Sequence, residues 1–482
     1  MNLPAADWTL RMQGGARLQV PASLEQISTY VLLEQEDWFE DEIRFVRRLL
    51  KPGMRVVDVG ANLGVYAVTM ALGVGAGGRV WAYEPAPDTA ARLERNLALN
   101  GCAQATVVRA AMSERPGTLS FAVGDRPELN KVAEGGLSVE ATSVDTAAGG
   151  WGEVDFIKLD VEGHEREAVL GGQAFFRDAA PLVMLEVMHQ GHLESAALDL
   201  LAAAGYGAYR LLPGLSMLEP VDWAETPDGF LLNLFACKPA TARVLASRDL
   251  LCLDLADPGE RAPAGAWRAY VERAPYARGF ASRWRSSAGW FASADTTRYF
   301  EGLAAWTRSR DASLSGATRG AWLRHAVHCL ADALQERPSA ARQLSYCRAA
   351  ADAGWRGAAV SALGGLTSVL EAFVEAHGTE PFLAPSLRHE NLDTADAPEE
   401  WLRCAVLESV ERLHAFSSCF AGEEIGAVHE QLAASPLRAV ETDRRRQLLR
   451  LRRGLALEPG ALARLGAEAP DHLNPDFWRQ HA

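Results

Sequence analysis

Two apolar runs that each deliver a carboxylate into a glycine-bearing turn, VVDVGANLG over 56–64 and DFIKLDVEGHE over 155–165, constrain this 482-residue chain more than any other feature. A β-rich run that ends in an acid and a glycine and passes straight into a helical pattern is the strand–turn–helix joint of an open α/β sheet. From 55 to 238 that alternation continues. Strand patterns fall at 55–59, 79–84, 106–110, 155–161, 182–188, 208–212 and 230–237, and helical ones at 65–72, 88–100, 164–176 and 193–204. The expectation is α/β: a Rossmann-like, mostly parallel sheet of seven strands with helices on both faces, spanning 51–240. β-like runs at 118–123 and 138–144 read as a small insertion near the sheet edge. Residues 1–50 read as a lead-in, with an acidic helix over 34–50 that Pro52 and Gly53 stop.

Beyond Pro239 strand patterns nearly vanish, and Ala, Leu and Arg recur at helical spacing over 320–335, 340–353, 358–377, 401–416 and 441–457. Residues 241–482 therefore read as a separate all-α domain, with the pairing of two helices across Gly354 and Trp355 resembling a helical repeat. The mixture of aromatics and arginines over 267–310 reads as core rather than as a surface that stacks on sugars or bases. The run RRRQLLRLRR at 444–453 reads as a solvated helix face.

A formal net charge of -14 argues against a general nucleic-acid binder. The seven scattered cysteines, with no CxxC pair, suggest neither a disulfide framework nor a zinc knuckle. The opening residues lack a signal-peptide pattern and no stretch of about 18 uncharged apolar residues marks a membrane span, so the expected location is the cytoplasm.

The chemistry sits in the turns. Glycine at 60 and 64 permits a tight fold-back and close approach of a ligand to the backbone, and Asn62 is a candidate cap for the following helix. The spacing is G-A-N-L-G rather than GxGxxG, so the middle glycine of a dinucleotide turn is replaced by asparagine. Asp58 is placed to hold a cationic group, and the ammonium of S-adenosylmethionine fits; the plainer reading is a buried acid that fixes the turn. Glu84, at the tip of the next strand, can accept both hydroxyls of a ribose. A ribose alone does not separate nicotinamide from sulfonium cofactors, and the asparagine favours the latter.

These residues resemble a known family. VVDVGANLGVYA, VWAYEPAPDTAARLERNLALN, VDFIKLDVEGHEREAVLGG and PLVMLEV stand in the order and approximate spacing of the FkbM methyltransferases, which depend on S-adenosylmethionine. The resemblance covers about 38–188 and extends to about 237. It implies an O-methyltransferase acting on a hydroxyl of a sugar, glycan or natural-product scaffold. It carries over Asp58, Gly60, Asn62 and Glu84 as cofactor contacts, with Ala61, Gly64, Tyr66, Pro85 and Asp160 beside them, and Asp160, Glu162, Gly163 and Glu165 as a second signature.

Transfer to a hydroxyl needs a base or a metal ion. Asp160 is the first candidate to orient the acceptor, and His164, at a helix start, is the candidate base because the helix dipole disfavours its protonated form. Glu186 and His189 are further candidates on the same rim. Asp160, Glu162 and Glu186 could together hold magnesium, though a metal is not favoured. The helical half is expected to present the substrate or a protein partner. The rival readings are a nicotinamide-dependent oxidoreductase and a methyltransferase fold that has become an inactive scaffold.

Overall fold

The computed structural model describes residues 7–122, 124, 131–132, 135–189, 192–222, 228–253, 258–259, 262–263, 265–286, 297–376, 380–422, 425–467 and 473–481. The chain divides into two compact units. One comprises Met1–Arg210, Pro220–Leu245 and Asp443–Ala482, the other Leu211–Glu219 and Ala246–Thr442.

The first unit carries the sheet apart from Leu211–Leu212 and Met217–Glu219 at one edge, which count with the second. The strands are β1 (Arg55–Val59), β2 (Arg79–Tyr83), β3 (Ala105–Val108), β4 (Phe156–Leu159), β5 (Leu182–Glu186), β6 (Gly207–Leu212), β7 (Met217–Pro220) and β8 (Asn233–Cys237), in the spatial order β7-β6-β8-β5-β4-β1-β2-β3. β1 to β5 run parallel, and β8 lies antiparallel between β5 and β6. The sheet thus has eight strands where the sequence suggested seven. The addition, β7, is four residues long and ends on a proline, too short for alternation to reveal. From β1 the chain steps outward to β2 and β3 on one side, and to β4 and β5 on the other. Right-handed crossovers therefore put helices on both faces and make the gap between β1 and β4 the topological switch point, where such sheets bind ligands.

Side-chain alternation separates the two faces. Val57, Val59, Ile157, Leu159, Val183 and Leu185 share one apolar cluster. Asp58 and Lys158, in register on neighbouring strands, fall on the other face, beside Met184. That second face is covered by the lead-in, which holds helices α1 (Ile27–Gln35) and α2 (Glu42–Leu49). Phe45 of α2 meets Phe235 of β8 edge-on, with ring centroids 5.1 Å apart.

The lead-in differs from the single helix expected over 34–50. It begins with a hairpin, Trp8–Arg11 against Arg17–Val20, and its helix breaks at Glu36, which takes a left-handed φ of 56°. α1 is buried on nearly all sides, Glu34 included, so it has no polar stripe from which its limits could be read. What buries it is the helix Val440–Arg452 and the segment beyond. The arginines read as solvated are in fact buried: Arg444, Arg445 and Arg446 are 8%, 2% and 5% exposed. Arg444 Nε donates to the Glu34 carbonyl at 2.8 Å, Arg445 lies 3.7 Å from the Glu34 carboxylate, and Arg446 pairs with Glu458 at 2.8 Å. The Leu473 amide donates to Glu36, and Asn474 exchanges two hydrogen bonds with the backbone of Arg11. Glu34 and Glu36 stand more than 400 positions from these partners, beyond the reach of helical charge spacing.

Removing one member of a buried pair leaves a charge uncompensated. Glu34→Ala is therefore expected to lower unfolding free energy by about 3–5 kcal/mol in urea titration, whereas Asp41→Ala, at an exposed pair, should change it by less than about 1 kcal/mol.

The remaining differences are local. The 164–176 helix is two, Glu165–Leu170 and Gln173–Asp178, because the intervening Gly171 passes the Ser113 carbonyl where a β-carbon would sit 2.1 Å away. Helix α3 (Val65–Val74) and α4 (Pro87–Leu99) match their patterns, while the 193–204 helix is Ala196–Ala203. Ala111–Met112, Gly117–Ala122, Lys131–Val132 and Leu137–Thr142 form a separate four-stranded sheet.

The second unit is helical, with Gly316–Glu336, Ala340–Asp352, Arg356–Thr367 and Pro398–His414 its longer described helices near one another in the chain. The expected helix over 358–377 divides, its second part being Leu370–Ala376. The aromatics Trp267, Tyr276, Phe280, Trp284, Tyr299 and Trp306 are core; Trp290 and Phe291 lie outside the described residues. No helix among the described residues is long and apolar enough to cross a membrane.

Candidate methyltransferase site

The turn after β1 is held from beneath. The Gly60 and Ala61 amides both donate to the Tyr83 carbonyl, at 3.0 and 2.9 Å, and Gly60 and Gly64 take φ of 80° and 96°, conformations that favour glycine. The reason for glycine differs from ligand approach. A β-carbon at 60 would lie 1.7 Å from the Asp160 carbonyl, and one at 64 would lie 2.6 Å from a Leu93 methyl. The first glycine therefore lets the turns after β1 and β4 touch.

Asn62 does not cap α3, whose N-cap is Gly64 and lacks a side-chain bond. Asn62 has a φ of 47°, its amide donates to Glu84 Oε2 at 3.0 Å, and its buried Oδ1 has no hydrogen-bond partner among the described residues. The other oxygen of Glu84 accepts from the Ala86 amide at 2.8 Å. Glu84 thus fastens the glycine turn to the tip of β2, each oxygen keeping a lone pair for a further donor. Burial raises it to about 7, against the pull of the two amides. Pro85 follows it, half-buried.

Asp58 is completely buried, and neither of its oxygens has a hydrogen-bond partner among the described residues. Burial, with Asp160, raises it to about 6, while Lys158 and the Ala67 amide, which approaches it short of ordinary hydrogen-bond geometry, oppose the shift. An acid with two unused acceptors at the switch point, beside a second acid with spare lone pairs, fits a ligand that brings a cation and a ribose.

Lys158 and Glu40 were not singled out in the sequence. Lys158 is 3% exposed, and its Nζ lies 2.6 Å from Asp160 Oδ2 and 4.8 Å from the centre of the Tyr66 ring. Burial opposes its charge, but Asp160, Asp58 and Glu40 together hold the ammonium above its usual range. Tyr66, rather than pointing along the glycine turn, donates its hydroxyl to Glu40 Oε2 at 2.5 Å. A lysine inside an otherwise apolar strand was the available signal for Lys158; Glu40 carried none.

The β4 and β5 tips bring Asp160, Glu162 and Glu186 together, with one carboxylate oxygen of each within 4.8 Å of the others. Burial, reinforced by Asp160, Glu162, Glu165 and Glu40, pushes Glu186 up to about 11, so it keeps its proton at neutral pH. Glu162 and Gly163 take φ of 54° and 91°, and Glu165 turns back to accept from the Val161 amide at 2.8 Å.

His164 faces elsewhere. Its Nε2 lies 3.0 Å from Ser113 Oγ and its Nδ1 3.6 Å from Glu167. Burial lowers its pKa, with Glu167 and Glu165 opposing, so desolvation rather than the dipole of the six-residue helix keeps it neutral. The side chain of His189 lies outside the described residues. A second group, His389, Cys404 and Glu408, converges in the helical unit. There Glu408 already accepts from Arg388, the Ala439 amide and Thr442, as a structural hub.

Residues 58–207 match the sequence model of the Methyltransferase FkbM domain. The N-terminal half of the chain carries a methyltransferase domain of that family. No curated protein matches the chain. Similar solved structures include an FkbM methyltransferase from Methylobacillus flagellatus KT, 21% identical over 38% of this chain and 43% of that one, with a TM-score of 0.27. This chain thus spans less than half of that protein. A SAM-dependent O-methyltransferase from Thermotoga maritima is 16% identical over 49% of this chain and 94% of that one, with a TM-score of 0.26. Fibrillarin from Aeropyrum pernix, solved with natively bound S-adenosyl-L-methionine, is 11% identical over 49% and 83%, with a TM-score of 0.25.

Proposed function

We propose that this domain transfers a methyl group from S-adenosylmethionine to a hydroxyl oxygen of a sugar, glycan or natural-product scaffold. The observation that carries the reading is the fully buried carboxylate of Asp58 at the β1–β4 switch point, approached by the Ala67 amide but closed by no ordinary hydrogen bond, beside Glu84. Asp58 faces the cofactor's amino-acid end, Glu84 and the Asn62 carbonyl its sugar. The cofactor supplies an activated methyl group. Asp160 and Glu162 orient the acceptor hydroxyl, and Lys158 fixes Asp160 in place. Glu186 holds its proton and donates rather than accepts. His164 is turned to Ser113 and Glu167, so the proton passes to the Asp160 and Glu162 carboxylates rather than to the imidazole. Because an ammonium already faces Asp160, magnesium is not required by this reading.

Saturating S-adenosylhomocysteine should raise the melting temperature and NAD should not; the reverse would favour an oxidoreductase, and no shift with either would favour a scaffold. With the imidazole turned away, His164→Ala should keep a transfer rate within about threefold of the parent across pH 6 to 9. A loss of about 100-fold near neutral pH would return the role of base to the imidazole.

Cofactor affinity should also depend on pH, with a defined sign. Asp58 and Glu84 titrate at about 6 and about 7 in the free site, above ordinary carboxylates. Their contribution to folding is full at low pH and is lost as pH rises through those values. A cation and hydroxyl donors bind the ionised forms, so affinity rises between about pH 5.5 and 7.5, by up to about tenfold per unit for each group, then levels. Calorimetric titrations across that range check it; a flat profile would contradict it.

A further inference from the structure

The lead-in reaches into the methyl-transfer site through Glu40, and the charge balance there has a consequence for ligand choice. Glu40, Asp58 and Asp160 all act on one buried cation, Lys158. Three carboxylates thus face a single ammonium. The arrangement is built from three separate places in the chain: Asp58 and Lys158 by strand register, Asp160 two residues beyond Lys158 on the same face, and Glu40 by the hydrogen bond from Tyr66. Asp58 adds an independent sign of a missing ligand, since it is fully buried and, with only the Ala67 amide approaching it, neither oxygen is closed by an ordinary hydrogen bond among the described residues.

We propose that Glu40 is a specificity residue that makes this site prefer a cofactor bearing a positive charge at sulfur over the uncharged thioether product. The inference rests on the proposed cofactor. S-adenosylmethionine carries an ammonium, a sulfonium and a carboxylate, whereas S-adenosylhomocysteine lacks the sulfonium charge. Its amino-acid end is common to both, so Asp58 serves the two ligands alike. The surplus negative charge of Glu40 and Asp160 acts on the centre where they differ. If the methyl end of the cofactor lies beside Asp160, as the proposed function has it, one additional carboxylate facing that centre is worth a severalfold preference. Such a bias also hastens exchange of product for fresh donor. Burial, with Asp160, raises the Glu40 pKa, and Lys158 and the hydrogen bonds from Tyr66 and Trp38 hold its charge against that pull; Glu42, two residues on, opens α2.

The test is calorimetric titration of the full chain with S-adenosylmethionine, S-adenosylhomocysteine and sinefungin, whose amine replaces the methyl-sulfonium group. The parent should bind both cationic ligands about tenfold more tightly than the thioether. Glu40→Gln, which keeps the acceptor for Tyr66, should bring that ratio close to one with little change in affinity for S-adenosylhomocysteine. Asp41→Asn, which removes an exposed acid from the adjacent position, should leave the ratio intact. If Glu40→Gln does not fold, Tyr66→Phe, which releases Glu40 from its anchor, should lower the ratio in its place. An unchanged ratio in Glu40→Gln, an equal fall in Asp41→Asn, or a parent that prefers the thioether would each overturn the proposal while leaving the cofactor site standing. Failure of all three ligands to bind would overturn the cofactor reading as well.

Discussion

Gly60→Ala is expected to destabilise the methyltransferase unit by about 3 kcal/mol or more, since no other described glycine would bring a β-carbon so close to a neighbour. Two independent terms add. The residue has a φ of 80°, where an L side chain is strained by about 1–2 kcal/mol. The new methyl would also lie 1.7 Å from the Asp160 carbonyl carbon's oxygen and 2.8 Å from the carbon itself, and backbone atoms cannot swing aside as a side-chain end can. Relief requires separating the turns after β1 and β4. That movement opens the switch point and shifts Asp160 away from Lys158. Urea unfolding measures the loss; a variant within about 0.5 kcal/mol of the parent would mean that the two turns do not touch. By contrast Gly75→Ala, at a φ of 63° with open space around it, should show the strain term alone.

Glu84→Ala is expected to reduce affinity for S-adenosylmethionine about 100-fold, on the scale of two hydrogen bonds to a charged acceptor. It should also weaken the fold, which the sequence did not foresee. The Asn62 and Ala86 amides lose their acceptor together, and burial makes each unsatisfied amide cost about 1–3 kcal/mol. Glu84→Gln separates the two roles only in part, because its amide group can accept from one of those N–H groups and must present a donor to the other. Both variants should therefore unfold at lower urea than the parent, and saturating cofactor should restore less stability to them than to the parent. Unchanged affinity in a folded Glu84→Ala would remove this residue from the cofactor site.

The parts of the site that were legible in the sequence are those set by local turn chemistry. Asp58, Gly60 and Glu84 announce themselves because a strand, a tight turn and a helix follow within a few residues, and the strand order then brings the β1 and β2 tips together. The role of each was less legible than its presence. Gly60 serves contact with Asp160 rather than room for a ligand, and Asn62 offers its backbone amide rather than a cap. Lys158 could have been noticed as a charge within an apolar strand, but its meaning depends on Asp58 across the register and on Glu40 from the lead-in. Glu34 and Arg445 were out of reach for the same reason: their charges are explained by partners at the opposite end of the chain. The eighth strand and the divided helices were lost to shortness, since four or six residues do not establish a period.

On the proposed function, S-adenosylmethionine and its thioether product both lie across the tips of β1 and β2. A crystal structure of the full chain soaked with S-adenosylhomocysteine tests it most directly. The account predicts ribose hydroxyls within hydrogen-bond distance of both Glu84 oxygens and the amino-acid end on the Asp58 side of the turn. A crevice filled by protein side chains, or a ligand bound away from both acids, would contradict it.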